Sequence, residues 1–214
     1  MFKGRKHDQT IAGSALEPWA DPTSCRRAPL LECIELFNNF TASAFRLETL
    51  DQYIVTEEWP QFQAYLAGDT SKNTRNKEWA DYISEQRRQG KTIERIHIIP
   101  RIPSDYLKFE MAWGYRYSHL AGEAIYLAYR ETVPRYLKDL RLPDFWLFDD
   151  SQCLIQRYDT AGRWLGSDIL LSTEGTQILR AVRDELRQIS FPFRIDSSIR
   201  WQETGFAASL QDHL

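Results

Sequence analysis

The chain is poor in cysteine and histidine, carries no strong excess of either charge and has no long hydrophobic run. Cys25, Cys33 and Cys153 show neither CxxC spacing nor an even count, which argues against a disulfide framework and for small buried hydrophobes in a reducing cytoplasm. Four histidines with no HExxH and no His/Cys cluster argue against zinc. No GxGxxG or GxxxxGK sequence occurs, so a nucleotide-fold cofactor is not expected, and no other cofactor is indicated. Ser104, Ser118 and Ser167 lack the strand-to-helix elbow that activates a hydrolase serine. The apolar runs fall far short of the ~20 residues of a membrane span, and the opening MFKGRKHDQT is too polar to continue as a signal peptide. A soluble cytoplasmic protein with no membrane partner is expected. The formal net charge of −3 supplies no global basic field to draw the chain to nucleic acid.

What is present is a length and an aromatic content suited to one well-filled core. At 214 residues a single domain can be stable without staples, and 7 Trp among 13% aromatics point to a core built on large rings. Residues 1–28 lack periodicity and read as a flexible arm, 29–193 as the globular domain, and 194–214 as a peripheral tail into which Trp201 and Phe206 could dock.

Residues 143–171 organise the rest. Asp144–Asp149 is a strand rich in Phe, Trp and Leu. Cys153–Tyr158 alternates, and Asp159-Thr160-Ala161-Gly162 is a turn whose last position needs a positive φ. Arg163–Leu171 then returns, with a bulge at Gly166, giving an antiparallel meander. Upstream, Pro29 opens a helix with Leu30, Leu31, Ile34 and Phe37 on one face, and Ala44–Val55 is extended. EEWPQFQAYLAG is a helix with Trp59, Phe62 and Leu66 on one side. Lys77–Gln89 is another, stopped by Gly90.

IERIHIIP is a strand with Ile93, Arg95, His97 and Ile99 on one face. Ser104 caps a helix that puts Tyr106, Glu110, Trp113 and Tyr117 on one stripe, ending at Ala121-Gly122-Glu123, and Ala124–Tyr129 is a strand. A charged connection over 130–142 precedes the meander. Thr173 caps the last helix, which shows Leu179, Val182, Leu186 and Ile189 on one side and is stopped by Phe191-Pro192-Phe193. Interleaved helices and strands predict an α/β or α+β fold with a mixed sheet flanked by helices.

The succession AFRLETLDQY, GKTIERIHIIP, SDYLKFEMAWGYRYSHLAGEAIYL and LPDFWLFDDSQCLIQRYDTAGRWLG resembles the bacterial family catalogued as domain of unknown function 6879, over roughly 40–193. The motif positions fall on Arg46, Leu47 and Glu48, on Arg95, on Tyr106 and Glu110, on Gly122 and Glu123, and on Asp144, Phe145, Asp149 and Asp150. The resemblance implies an accessory or regulatory setting, common in actinobacteria and often beside helix-turn-helix regulators, with such a regulator or another protein as partner. The element order is also similar to phospholipase D-like domains, although the His-x-Lys pair those enzymes use for nucleophilic attack is absent.

Glu48, Arg95, Tyr106, Glu110 and Glu123 are expected to meet where the sheet packs on the helix from Ser104. A carboxylate on an apolar stripe must be paired, because a lone buried ion costs several kcal/mol, and Arg95 is the natural partner. Such a group is either a neutralised ion pair or an open site. As an open site it offers Glu48, Tyr106, Glu110 and Glu123 for acid/base chemistry, with Arg46, Arg95, His97, Trp113 and Asp149 as ligand-binding candidates and Arg95 as the holder of a small anionic ligand. Asp149 and Asp150 could ligate Mg²⁺, yet an Asp pair more often opens a turn, and no metal is assigned. Lys72, Arg75, Lys77, Arg87, Arg88 and Lys91, interspersed with Trp79 and Tyr82, form a basic patch that Glu78, Asp81 and Glu85 offset, so a solvated helix face is preferred over a nucleic-acid interface. A binding module and a small enzyme of specialised metabolism or conflict systems are the two functions compatible with these residues.

Overall fold

The computed structural model describes residues 17–69 and 76–195. The basic residues Lys72 and Arg75 and the docking candidates Trp201 and Phe206 lie outside them. Eight strands form one mixed sheet among the described residues: β1 Cys25–Ala28, β2 Ser43–Glu48, β3 Thr92–Ile99, β4 Ala124–Tyr129, β5 Asp144–Phe148, β6 Gln152–Tyr158, β7 Trp164–Leu170 and β8 Phe191–Pro192. Their order is β1-β7-β6-β5-β2-β3-β4-β8. β2, β3 and β4 run parallel at the centre, and the remaining pairings are antiparallel. The helices are α1 Leu30–Asn39, α2 Trp59–Leu66, α3 Lys77–Arg88, α4 Asp105–Phe109, α5 Arg116–Ala121, α6 Arg135–Asp139 and α7 Thr173–Ile189. A 3₁₀ turn, Thr56–Glu58, leads into α2, and a π-helical turn, Glu110–Tyr115, joins α4 to α5.

The meander β5–β6–β7 forms as its turns dictate. Asp159 accepts from the amides of Ala161 and Arg163, and Gly162 adopts φ +86°. The register between β6 and β7 slips beside Arg157 and Tyr158, opposite Gly166 at φ +117°. Asp149 and Asp150 occupy the β5–β6 turn, both at positive φ.

The two faces of the sheet are covered differently. Phe45, Leu47, Ile96, Ile98, Phe145, Leu147, Cys153 and Ile155 pack on Leu179, Val182 and Leu186 of α7. On the other face, α1 and α3 cover Ala44, Ile93, Phe148 and Leu154 through Cys33, Phe37 and Ile83. The segment from α4 to α5 covers Ile99, Ile125 and Leu127 through Leu107, Met111 and Tyr115.

Four expectations need correction. The sheet begins before residue 29: β1 pairs with β7, and Trp19 is buried, so the arm expected over 1–28 is docked from at least residue 17. β1 reads Cys-Arg-Arg-Ala, an edge strand with no apolar alternation to mark it. α1 turns Cys33, Leu36 and Phe37 inward and leaves Leu30, Leu31 and Ile34 exposed. In α2 the inward side chains are Phe62 and Tyr65, whereas Trp59 and Leu66 are exposed. Ser172 caps α7 in place of Thr173, its hydroxyl accepting from the Gly175 amide at 3.0 Å.

Candidate functional site

Alternation along the strands places Arg46 and Glu48 of β2, Arg95 and His97 of β3 and Asp144 of β5 on one face, between the apolar patches under α1/α3 and under α4–α5. These groups neutralise one another in pairs. Arg95 donates from Nη1 to Glu48 Oε1 and from Nε to Glu123 Oε1, both at 2.8 Å. Arg46 reaches Asp144 Oδ2 at 3.1 Å and lies 3.6 Å from Glu48 Oε1. The other Asp144 oxygen accepts from the Thr49 amide at 2.9 Å and the Thr49 hydroxyl at 2.6 Å, and Tyr53 donates to Oδ2 at 2.5 Å. Arg46 also donates to the Tyr158 hydroxyl at 3.1 Å.

A second chain of hydrogen bonds runs through His97. Its Nε2 lies 2.8 Å from the Leu50 carbonyl, which can only accept, so that nitrogen carries a proton. Its Nδ1 is 2.6 Å from the Tyr115 hydroxyl, which donates to Glu48 Oε2 at 2.7 Å. Burial lowers the His97 pKa against the pull of Glu48, leaving the ring neutral near pH 7. One hydroxyl proton on Tyr115 therefore serves two acceptors. Burial works to raise the Glu48 carboxyl, but Arg95 first, then His97 and Arg46, hold it well below the usual carboxylate range. Burial, and then the Glu48 charge, pushes the Tyr115 hydroxyl far up, so it stays protonated.

Above this layer lies a cavity of about 660 Å³ at the carboxyl end of β2, over Arg95 in the middle of β3. Glu48, Arg95, Tyr115 and Tyr158 belong to its floor, and Glu58, Tyr106, Glu110 and Trp79 to the elements around it. Tyr106 donates to Glu58 at 3.3 Å, and its hydroxyl is pushed strongly upward by burial, then by Glu110, Glu58 and Glu48. Trp164 is held from Nε1 by Gln156 Oε1 at 3.1 Å. Asn76, just before α3, donates to the Trp113 carbonyl at 3.2 Å, tying the two helical walls together. The π turn sets this geometry, for it rotates the helix so that Leu107, Met111 and Tyr115 bury while Tyr106 and Glu110 face the cavity.

Of the residues singled out in the sequence, Glu48, Arg95, Tyr106 and Glu110 converge on the cavity. Arg46, His97 and Glu123 are buried outside its lining, and Glu123, 1% exposed, acts as the second counter-ion of Arg95. Trp113 packs on Tyr65 and Phe109 and does not line the cavity. Asp149 sits at the opposite end of β2, where its carboxylate accepts from the amides of Thr41, Ala42 and Ser43 and from the Thr41 hydroxyl. Asp150 pairs with Arg180 and Arg183. That pair makes a turn, and no group of three or more potential metal ligands occurs among the described residues. Lys77 and Arg88 pair with Asp81 and Glu85 on their own helix, as a solvated face would.

Sequence reasoning missed Asp144 as a charge hub, together with Tyr53, Tyr115, Tyr158 and Glu58. Asp144 gives a usable signal, being an acid directly beside a strand of large apolar residues. Tyr115 gives none, because a regular helix would turn it off the Tyr106–Glu110 stripe.

A family model described as a domain of unknown function (DUF6879) matches residues 32–195. No curated protein matches the chain. Among solved structures, the chain is similar to a phospholipase D family member, Nuc from Salmonella typhimurium, at 6% identity and a TM-score of 0.47 over 82% of this chain and 95% of that one. It is also similar to a phosphatidylserine synthase from Haemophilus influenzae Rd KW20, at 12% identity and a TM-score of 0.40 over 86% and 42%. No helix of the described residues is long and apolar enough to cross a membrane.

Proposed function

The chain belongs to the DUF6879 family, and from that premise and the geometry above we propose that it is a binding module of accessory or regulatory character, with the cavity over β2 and β3 as its small-molecule site. One observation carries this reading. A cavity of about 660 Å³ lies within the 300–1,000 Å³ common for ligand pockets, and its floor is a fixed lattice of ion pairs instead of mobile side chains. The anion expected at Arg95 is disfavoured, because both nitrogens that the geometry orients are already taken by Glu48 and Glu123. A helix-turn-helix regulator or another protein as the reader of the bound state, and a cytoplasmic location, belong to the same proposal.

A thermal-shift screen of the full chain against cationic, anionic and neutral small molecules tests it. At least one class is expected to raise the melting temperature by a few degrees, and Val55→Trp, which fills the cavity from a half-buried lining position, is expected to remove the shift. A screen with no shift, or shifts indifferent to Val55→Trp, would end the proposal.

The His97–Tyr115–Glu48 chain favours a second reading as an acid/base enzyme, since Tyr115 lies in the cavity lining and could pass its proton to a bound molecule. On that reading Tyr115→Phe abolishes turnover while the ligand still binds; a Tyr115→Phe protein that binds and turns over normally excludes it.

A further inference from the structure

The buried layer beneath the cavity is one proton short of neutrality. It holds three carboxylates, Glu48, Glu123 and Asp144, against two guanidiniums, Arg46 and Arg95, and among the described residues these five form ion pairs only with one another and with His97. None of their side chains is more than 12% exposed, so solvent does little to screen the imbalance. His97 is neutral, with its Nε2 proton committed to the Leu50 carbonyl and Nδ1 left as an acceptor. The groups that face its ring are Glu48 of β2, the Tyr115 hydroxyl of the π turn and the Tyr53 ring at 6.1 Å, with Asp144 of β5 and Arg95 of β3 acting on it from farther off.

The geometry serves two protonation states of this layer. As it stands, the single Tyr115 proton is claimed by Glu48 Oε2 at 2.7 Å and by His97 Nδ1 at 2.6 Å. With one proton more, Nδ1 donates to the Tyr115 oxygen, Tyr115 donates to Glu48, and each donor has its acceptor with no heavy atom moved. The opposite step has no such provision. A proton passed from Tyr115 into the cavity leaves a buried tyrosinate beside Glu48, adds a second surplus negative charge to the layer and finds no proton on Nδ1 to replace it. Glu48 by itself is a poor base: burial works to raise its carboxyl, but Arg95, ahead of His97 and Arg46, holds it low. Tyr115 belongs to the cavity lining and His97 does not, so the hydroxyl stands between the cavity and the acceptor.

We infer that this chain is a general-base relay, which takes the proton from the O–H of a ring-bearing phenol or enol in the cavity to Tyr115 and on to His97. The ligand O–H bond breaks and its electron pair stays on the ligand oxygen. The freed proton joins the Tyr115 oxygen, and the proton already on Tyr115 joins the lone pair of His97 Nδ1. The ligand becomes an anion, His97 an imidazolium, and the layer neutral. Tyr53, Trp79, Tyr106, Tyr158 and Trp164 in the lining suit a flat ring, and the Arg95 guanidinium, 5.1 Å from the centre of the Tyr115 ring, holds that ring in register with His97. This inference rests on the acid/base reading above and gives it a direction.

Titration of the full chain with 4-nitrophenol and a series of halophenols, followed by the phenolate absorbance band at a pH below the pKa of each free compound, tests the relay. At least one phenol is expected to bind with its phenolate-to-phenol ratio raised about tenfold or more over the free compound, one pKa unit. Its ¹⁵N spectrum should show His97 Nδ1 gaining a proton in the complex. Tyr115→Phe should keep the phenol bound and remove its ionisation, and His97→Gln should do the same; where His97→Gln fails to fold, Tyr115→Phe and the Nδ1 signal decide. A phenol bound only in its neutral form, ionised equally in Tyr115→Phe, or ionised with no proton gained at Nδ1 would overturn the relay and leave the pocket reading standing. Binding that survives Val55→Trp would overturn both. No binding by any phenol would overturn the ligand class, and a positive thermal-shift screen would then keep the pocket reading apart from that failure.

Discussion

The two faces of the central sheet are made by the same strands, one residue out of step, and they are stabilised by opposite physics. Toward α7, Phe45, Leu47, Ile96, Phe145 and Leu147 form a dry layer. Its charged neighbours, Glu94 with Arg187 and Arg157 with Asp168, are ion pairs outside that layer. On the opposite face, Arg46, Glu48, Arg95, His97 and Asp144 stand where those apolar residues stand on the first. The apolar layer depends on area and shape and tolerates exchange among side chains of similar volume. In the charged layer each member depends on particular partners, because a buried ion left alone costs more than the pair contributes. The α7 face therefore holds the fold, and the other face holds a geometry.

The widest separation between the two faces should come from Arg95→Met. It removes the cation between Glu48 and Glu123 and strands two buried carboxylates, so a loss of about 3–5 kcal/mol is expected in urea unfolding. Adding Glu123→Leu should restore a large part of it, because Glu48 keeps Arg46 at 3.6 Å. Simple addition of the two single losses would show that the charged layer is not a coupled unit. On the apolar face, Leu47→Ala should cost about 2–5 kcal/mol as a transfer and cavity effect and combine additively with Glu123→Leu. Coupling there as strong as at Arg95 would erase the distinction between the faces.

How much of this was legible follows the same division. The apolar layer announces itself by the β-branched run in IERIHIIP and the aromatic run in DFWLF, and the turn at Gly162 and bulge at Gly166 fix the meander from sequence alone. The meeting of Arg95 with carboxylates was legible only as a group: the stripe argument pointed to Glu110 as the acid that needs a partner, whereas the carboxylates paired with Arg95 are Glu48 and Glu123. The ring of tyrosines was not. Tyr53 lies in a loop after β2, and Tyr115 closes a π turn, whose wider helical repeat no 3.6-residue pattern reveals, before it donates to Glu48. Asp149 stands apart from this group for a local reason: it sits in the β5–β6 turn expected of the Asp pair, and its side chain accepts from three backbone amides at the start of β2.

Acid should separate the faces next, by a smaller margin. The folded His97 pKa lies below its ordinary value of about 6.5 and the Glu48 pKa below its ordinary value of about 4.3. In both windows the unfolded chain binds protons that the folded chain refuses, so stability is present above those values and falls as pH drops below about 6.5, then further below about 4.3. The urea midpoint should decline along that course in the wild type and in Leu47→Ala alike. Glu48→Gln should shallow the decline below about pH 4.3 without abolishing it, because Asp149 and Asp150 are also held below the usual carboxylate range and keep their share; an unchanged profile would mean that Glu48 contributes nothing to it.

The smallest effect on stability should fall where the charged face meets the cavity. A Cβ on Gly114 would lie 3.1 Å from Glu110 Oε2, close enough that something must give, and the atom in its way is the far end of a flexible side chain, not backbone. Alanine also recovers up to about 1 kcal/mol of helix propensity relative to glycine. Gly114→Ala should therefore unfold within about 1 kcal/mol of the wild type while shifting the Glu110 carboxylate by a few tenths of an ångström and raising the Kd of a molecule bound in the cavity several-fold. A loss of stability on the scale of Arg95→Met, with affinity unchanged, would make Glu110 another member of the buried lattice. The expected opposite, affinity altered and stability kept, would mean that the π turn and its glycine place a carboxylate for a ligand, because moving it costs the fold little.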